Sequence, residues 1–285
     1  MIKKIYAFGT SHTAGGGFEY NTDRPNPSIY KRILDSENHF DYSYPSILGR
    51  MLGIDIINHA KQGFGYERVN RKILEVISDE SFNKDESLFL IEVSYHDRKE
   101  WYIKDLDKYL ITNFSARKID ELSHSTDYHH EDRKTCEIIK DYRNTLVDFY
   151  KLTHSDENYL IKQVQSSFIY MISLLNNLGI RYYLTNGSVP IEPILEQKLD
   201  YRDNIVEYKF GDTITSDFVS VDDILIRDES DGIVDDDHKG YSVNLTIAET
   251  IYNKLIDDNY LSKNKIEIDF IKNWNQIRNQ LFDGS

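Results

Sequence analysis

The chain reads as a three-layer α/β/α sandwich built on a central, mainly parallel sheet. Three observations predict this. Short apolar runs of strand length recur at residues 5–8, 54–58, 88–93 and 180–185. Segments with apolar residues at helical spacing lie between them, so strand and helix alternate along the chain. The run Leu88-Phe89-Leu90-Ile91-Glu92-Val93 is also almost continuously apolar, as a strand covered on both faces requires.

The first run, Lys4-Ile5-Tyr6-Ala7-Phe8, stops at Gly9 and is followed by Thr10, Ser11 and the cluster Gly15-Gly16-Gly17. This is how a buried strand delivers a serine to the carboxyl edge of a sheet, where open α/β sheets bind ligands. The glycines would let backbone N–H groups approach a substrate oxygen without interference from Cβ. The loop has neither the Lys-Ser/Thr of a P-loop nor the spacing of a dinucleotide fingerprint. Residues 19–41 are polar, with Pro25 and Pro27, and read as a long loop over the sheet edge. Residues 44–53 are helical, with Pro45 near the start and Gly53 at the end. After the strand at 54–58, residues 60–65 form a second glycine-bearing turn. Over 68–78, Val69, Ile73, Leu74, Val76 and Ile77 share one helical face.

Residues 98 to about 158 break the rhythm. They are polar, give no strand signal, and are expected to form a mainly helical insertion. His124, His129 and His130 cluster there near Asp127 and Glu131, but no ligand spacing matches a known metal site, so polar insert surface is the better reading. The regular pattern resumes with an amphipathic helix over 163–178, stopped by Gly179, and the strand at 180–185. Residues 187–230 are irregular, with short strands. Helices are expected over 241–255 and 266–281. The whole is one domain over 1–285, with the insertion at about 98–158 and a C-terminal helical extension at about 259–285.

A net charge of −14 on 285 residues argues against nucleic acid or an anionic membrane as the main partner. With 40% hydrophobic residues the chain can bury a sizeable core; the 21 tyrosines serve packing, with a sugar-stacking surface as the alternative. Cys136 is the single cysteine, so no intrachain disulfide forms, and a reducing compartment fits. No window approaches the roughly 20 apolar residues that span a bilayer. The apolar stretch after Lys3 and Lys4 is too short for a signal peptide, so the start reads as the first strand of the mature fold.

Special residues fall at the ends of predicted strands: Ser11, Gly63 and His96. A fourth group, Asp235-Asp236-Asp237-His238-Lys239-Gly240, comes just before the helix at 241–255. A serine becomes a nucleophile when a base removes its proton and a carboxylate holds that base in the right tautomer. Asp235 and His238, separated by two residues in one turn, could supply both. A solvated charge run or a cation site is the alternative reading of the three aspartates.

These blocks resemble the SGNH (GDSL-like) hydrolase family. Phe8-Gly9-Thr10-Ser11-His12-Thr13-Ala14-Gly15 is similar to its first block, with Ser11 at the nucleophile position and Thr10 in place of the usual Asp. The stretch from Pro45 to Gly53, followed by Ile56-Ile57-Asn58-His59-Ala60-Lys61-Gln62-Gly63, is similar to the helix, strand and second block. Asp235-x-x-His238 matches the fifth. The resemblance implies a flavodoxin-like sandwich, a Ser11–His238–Asp235 triad, and an oxyanion hole from the Ser11 and Gly63 N–H groups. In the third block, Ser94-Tyr95-His96-Asp97 puts His96 where the family has an asparagine donor; an imidazole donates one hydrogen bond and does so according to its tautomer. The run from Asp97 to Tyr102 is similar to the variant block of members encoded by large tailed phages.

The implied activity is hydrolysis of a small acyl ester, with O-acetylated carbohydrate as the expected substrate and no metal or organic cofactor. His12 and Asn58 are expected to line the substrate pocket, though Asn58 also suits a turn. The expected location is the cytoplasm, or the virion for a phage-encoded chain. Two readings stay open: a non-catalytic structural or glycan-binding protein that keeps the fold, and a sugar O-acyltransferase on the same triad.

Overall fold

Ile5 and Ala7 face one side of the first strand and Tyr6 and Phe8 the other, and a different pair of helices seals each side. The computed structural model describes residues 2–15, 43–61, 64–92, 98–104, 107–113, 145, 157–185, 209–210, 213–214 and 241–261. In chain order the elements are β1 (Lys4–Phe8), α1 (Ser11–Ala14), α2 (Tyr44–Leu52), β2 (Asp55–Asn58), α3 (Tyr66–Ile77), β3 (Ser87–Glu92), β4 (Arg98–Ile103), β5 (Lys108–Asn113), α4 (Glu157–Leu178), β6 (Arg181–Thr185), β7 (Lys209–Phe210), β8 (Thr213–Ile214) and α5 (Tyr241–Asp257).

The central sheet has the order β2-β1-β3-β6 and every pairing in it is parallel. β3 is buried at all six positions, as its continuous apolar run requires of an interior strand. On one face, Ile5, Ala7, Leu88, Leu90 and Tyr183 pack against Tyr44, Ile47, Leu48 and Met51 of α2 and against Ile247, Ile251 and Leu255 of α5. On the other, Tyr6, Phe8, Phe89, Ile91, Tyr182 and Leu184 meet Val69, Ile73 and Val76 of α3 and Phe168, Ile172 and Leu175 of α4. The three-layer α/β/α sandwich expected from the alternation of elements is therefore present. Burying each such side chain contributes roughly 1.5–3 kcal/mol.

The connections explain where a site belongs. The chain passes from β1 to β2 through α2 on one face, then from β2 past β1 to β3 through α3 on the other. Right-handed crossovers in opposite directions must use opposite faces. They leave a crevice at the carboxyl ends of β1 and β3, where the winding reverses. Gly53 and Gly179, both at positive φ, close α2 and α4 at the expected places.

α5 is fixed at both ends. Asn244 Oδ1 accepts the Tyr44 N–H at the start of α2 (3.0 Å), and Tyr183 donates its hydroxyl to Asp258 Oδ2 (2.5 Å). Burial, then the Asp258 carboxylate, pushes the Tyr183 hydroxyl well above its ordinary value.

One expectation is corrected. The segment from residue 98, read as free of strands, opens with the antiparallel hairpin β4–β5, with Arg98 opposite Asn113 and Ile103 opposite Lys108. Ion pairs hold it to α3. Arg71 donates twice to Glu100 (2.9 and 2.7 Å), and Glu67 accepts from Lys99 Nζ (2.9 Å) and from the Glu100 N–H (2.8 Å). The Arg71 guanidinium also lies 3.9 Å over the Tyr109 ring. Apolar periodicity does not register a hairpin docked through charges. The rest of the insertion, apart from Thr145 and α4, lies outside the described residues, as do the loop at 19–41 and the helix expected at 266–281. Among the described residues no helix is long and apolar enough to cross a membrane.

Candidate active site

The carboxyl edge of the sheet carries polar residues at the end of each strand. Thr10 follows β1, Asn58 ends β2, Glu92 ends β3 and Thr185 ends β6; Glu92 and Thr185 are register partners. Gly9 lets β1 and β3 close up at this point. A Cβ there would lie 2.4 Å from both Glu92 Oε2 and Thr13 Oγ1. Thr10, in an extended conformation, then turns the chain into α1, whose first residue is Ser11. The Ala14 N–H donates to the Thr10 carbonyl (2.9 Å), and Gly15 closes the turn at φ 81°.

Glu92 holds this turn from below. Its Oε2 accepts the Thr10 N–H (2.9 Å), the Thr13 N–H (3.1 Å) and the Thr13 hydroxyl (2.5 Å), while Oε1 accepts the Thr10 hydroxyl (2.5 Å). Thr10, Thr13 and Glu92 are all buried, Glu92 to 2% exposure. A carboxylate carries enough lone pairs for four donors, and here it acts purely as an acceptor.

That assignment fixes the direction of a longer chain of hydroxyls. Thr13 has given its one proton to Glu92, so at 3.1 Å it accepts from Tyr44 Oη. Tyr44 has then spent its own proton, and at 3.2 Å it accepts from Thr185 Oγ1. The order is Thr185 to Tyr44 to Thr13 to Glu92, through buried residues of β6, α2, α1 and β3.

Ser11 sits at the crevice between β1 and β3, buried to 5% exposure. Among the described residues its N–H and its hydroxyl have no hydrogen-bond partner. Asn58, expected at the substrate pocket, spends both ends of its amide on the backbone: Nδ2 donates to the Thr13 carbonyl (2.9 Å) and Oδ1 accepts the Ala60 N–H (3.0 Å). It thus ties the end of β2 to the Ser11 turn. The Lys61 N–H reaches the Gly9 carbonyl (3.3 Å) and reinforces the tie. His59 stacks on Phe8 and Tyr6 at ring-centroid distances of 5.4 and 6.1 Å. Burial, followed by the charges of Lys72 and Arg68, holds its imidazole below the usual range.

His12 has its backbone in α1, with its side chain outside the described residues. Gly63, His96, Asp235 and His238 also lie outside them. Sequence reasoning missed Glu92, Thr13, Tyr44, Thr185 and Asn244. The available signal was an acid closing an otherwise apolar strand, since a buried charge demands partners.

No protein-family model matches the chain, and no curated protein matches it. Solved structures that resemble it include two of named source. One is a protein ascribed to the G-D-S-L lipolytic family, from Desulfitobacterium hafniense DCB-2, at TM-score 0.40 and 10% identity; the match covers 89% of this chain and 99% of that one. The other is an acetyl xylan esterase from the rumen bacterium Butyrivibrio proteoclasticus, at TM-score 0.41 and 10% identity, covering 90% of this chain and 64% of that longer one. At these scores neither neighbour fixes an activity for this chain.

Proposed function

We propose that the chain is a serine esterase of the SGNH type that removes small acyl groups, with O-acetylated carbohydrate as its substrate class. The observation that carries this reading is Ser11 itself. It stands at the crevice where the winding reverses, on a turn pinned on both sides, with its N–H and hydroxyl unpaired among the described residues.

In this reading Ser11 Oγ attacks the ester carbonyl while His238 takes its proton, and Asp235 steadies the imidazolium. The N–H groups of Ser11 and Gly63 and the His96 side chain receive the oxyanion. Collapse of the tetrahedral intermediate breaks the bond to the alcohol, which leaves with the proton from His238. Water then gives a proton to His238, attacks the acyl-enzyme and releases the acid, and Ser11 recovers its hydrogen.

The tether on α5 supports the partnership of Ser11 and His238. Asn244 binds the Tyr44 N–H, and the Tyr44 hydroxyl meets Thr13, two residues after Ser11. His238 lies three positions before the start of α5 in the sequence. Ser11→Ala is expected to abolish both hydrolysis of p-nitrophenyl acetate and labelling by a fluorophosphonate, with the circular dichroism spectrum unchanged. Retention of either activity refutes the reading.

His96 at the place of the usual asparagine favours a second reading, a glycan-binding protein that keeps the fold without the chemistry. Its signature is wild-type protein that takes no fluorophosphonate label and binds acetylated glycan equally well as Ser11→Ala.

A further inference from the structure

We propose that Glu92 is the positioning residue for Ser11, an inference that rests on the serine-esterase reading above. Among the described residues no hydrogen bond joins Glu92 to Ser11. It grips the backbone on either side, through the N–H of Thr10 just before the serine and the N–H of Thr13 two residues after it, both on the same oxygen. The hydroxyls of Thr10 and Thr13 add a second grip at 2.5 Å each. A segment held at both ends by one rigid group has little freedom in the dihedral angles of the two residues between, Ser11 and His12. The carboxylate is rigid in turn, because it ends a six-residue strand buried throughout.

The same contacts decide which amide stays available. Thr10 and Thr13 give their N–H groups to Glu92, and Ala14 gives its own to the Thr10 carbonyl. Ser11 keeps its N–H unpaired among the described residues. Glutamine substitutes poorly: it keeps one acceptor oxygen for the two N–H groups and the Thr13 hydroxyl, and its amide forces the Thr10 hydroxyl to turn from donor to acceptor. It also exchanges charge-assisted bonds for weaker neutral ones. Displacement of a reacting group by about 1 Å can cost on the order of 10²-fold in rate. The role of Glu92 therefore belongs in kcat and not in substrate affinity.

The test uses the full chain and four substitutions. Glu92→Gln is expected to lower both kcat for p-nitrophenyl acetate and the fluorophosphonate labelling rate, by up to about 10²-fold. KM should stay unchanged, the mark of a lost transition-state interaction. Hydrogen exchange in the peptide spanning residues 8–15 should speed up. Glu92→Asp, one methylene shorter, should fall between wild type and Gln. Thr13→Val removes one grip and should slow labelling, and Thr13→Ser should restore it; this pair decides the matter if Glu92→Gln fails to fold. Labelling of Glu92→Gln at the wild-type rate, or a change confined to KM, overturns the positioning role alone. Wild-type protein that takes no label overturns the serine reading, and this inference with it.

Discussion

Gly9→Ala tests the geometry of the site without reference to any substrate. The added methyl would lie 2.4 Å from Glu92 Oε2, 2.4 Å from Thr13 Oγ1 and 2.7 Å from Glu92 Cβ, where ordinary contact is 3.4–4 Å. None of these atoms is the loose end of a flexible chain, since Oε2 holds three donors and Thr13 Oγ1 lies between Glu92 and Tyr44. Relief therefore requires Glu92 to retract from the Thr10 and Thr13 N–H groups, and each buried donor left unpaired costs about 1–3 kcal/mol. Overpacking strain adds about 1–3 kcal/mol, so the expected loss is about 3–9 kcal/mol. That is a large part of the roughly 5–15 kcal/mol by which a domain is stable. The assay is urea unfolding followed by tryptophan fluorescence. In a Glu92→Ala background, where Oε2 is gone, the same substitution should cost less, with a coupling energy of at least about 1 kcal/mol. A loss below about 1 kcal/mol in the wild-type background, or strict additivity in the cycle, would refute the packing described for Gly9.

Two further expectations follow from neighbouring contacts. Tyr44→Phe deprives Thr185 of its acceptor and Thr13 of its donor, and should cost about 1–3 kcal/mol in the same assay; adding Thr185→Val, which removes the stranded hydroxyl, should recover part of it. The imidazole of His59 is held below its usual value by burial, then by Lys72 and Arg68, so the unfolded chain takes up the proton first. Its contribution is present above the unfolded value of about 6.5 and is lost as pH falls through the lower folded value. His59→Phe keeps the stack on Phe8 and Tyr6, so on acidification from pH 7.5 to 5 its Tm should fall less than that of the wild type. Parallel falls in the two proteins would exclude the effect.

The scaffold was legible because it is written in apolar spacing. β1, β2, β3 and β6 lie where the short apolar runs predict them, and α2 and α4 stop at Gly53 and Gly179. The candidate site was legible only where a special residue marks a strand end, as at Ser11. Glu92 went unnoticed because one acid within an apolar run, with Val93 after it, leaves the run reading as a strand covered on both faces. Its partners lie 79 and 82 residues away, a separation that local patterning does not record. Asn244 and Tyr44 meet across 200 positions for the same reason. The β4–β5 hairpin escaped because its attachment to α3 runs through Arg71, Glu100, Glu67 and Lys99, residue types that otherwise mark a solvated surface.

The polar network at the carboxyl edge contributes little to stability for its size. Paired buried groups yield a net of about 0.5–1.5 kcal/mol per hydrogen bond, and removing both partners together is often close to neutral. An edge selected for stability alone could therefore be apolar. What the network does provide is a fixed backbone. Thr10, Thr13, Asn58 and Glu92 are each engaged, and between them they hold the residues on both sides of Ser11. Ser11 is the exception, a buried residue whose hydroxyl has no hydrogen-bond partner among the described residues. A hydroxyl that its own turn leaves unbonded keeps its proton and its lone pairs for a base or a ligand. The contrast between the fully bonded surroundings and the unbonded serine is the strongest physical reason to place chemistry at this turn.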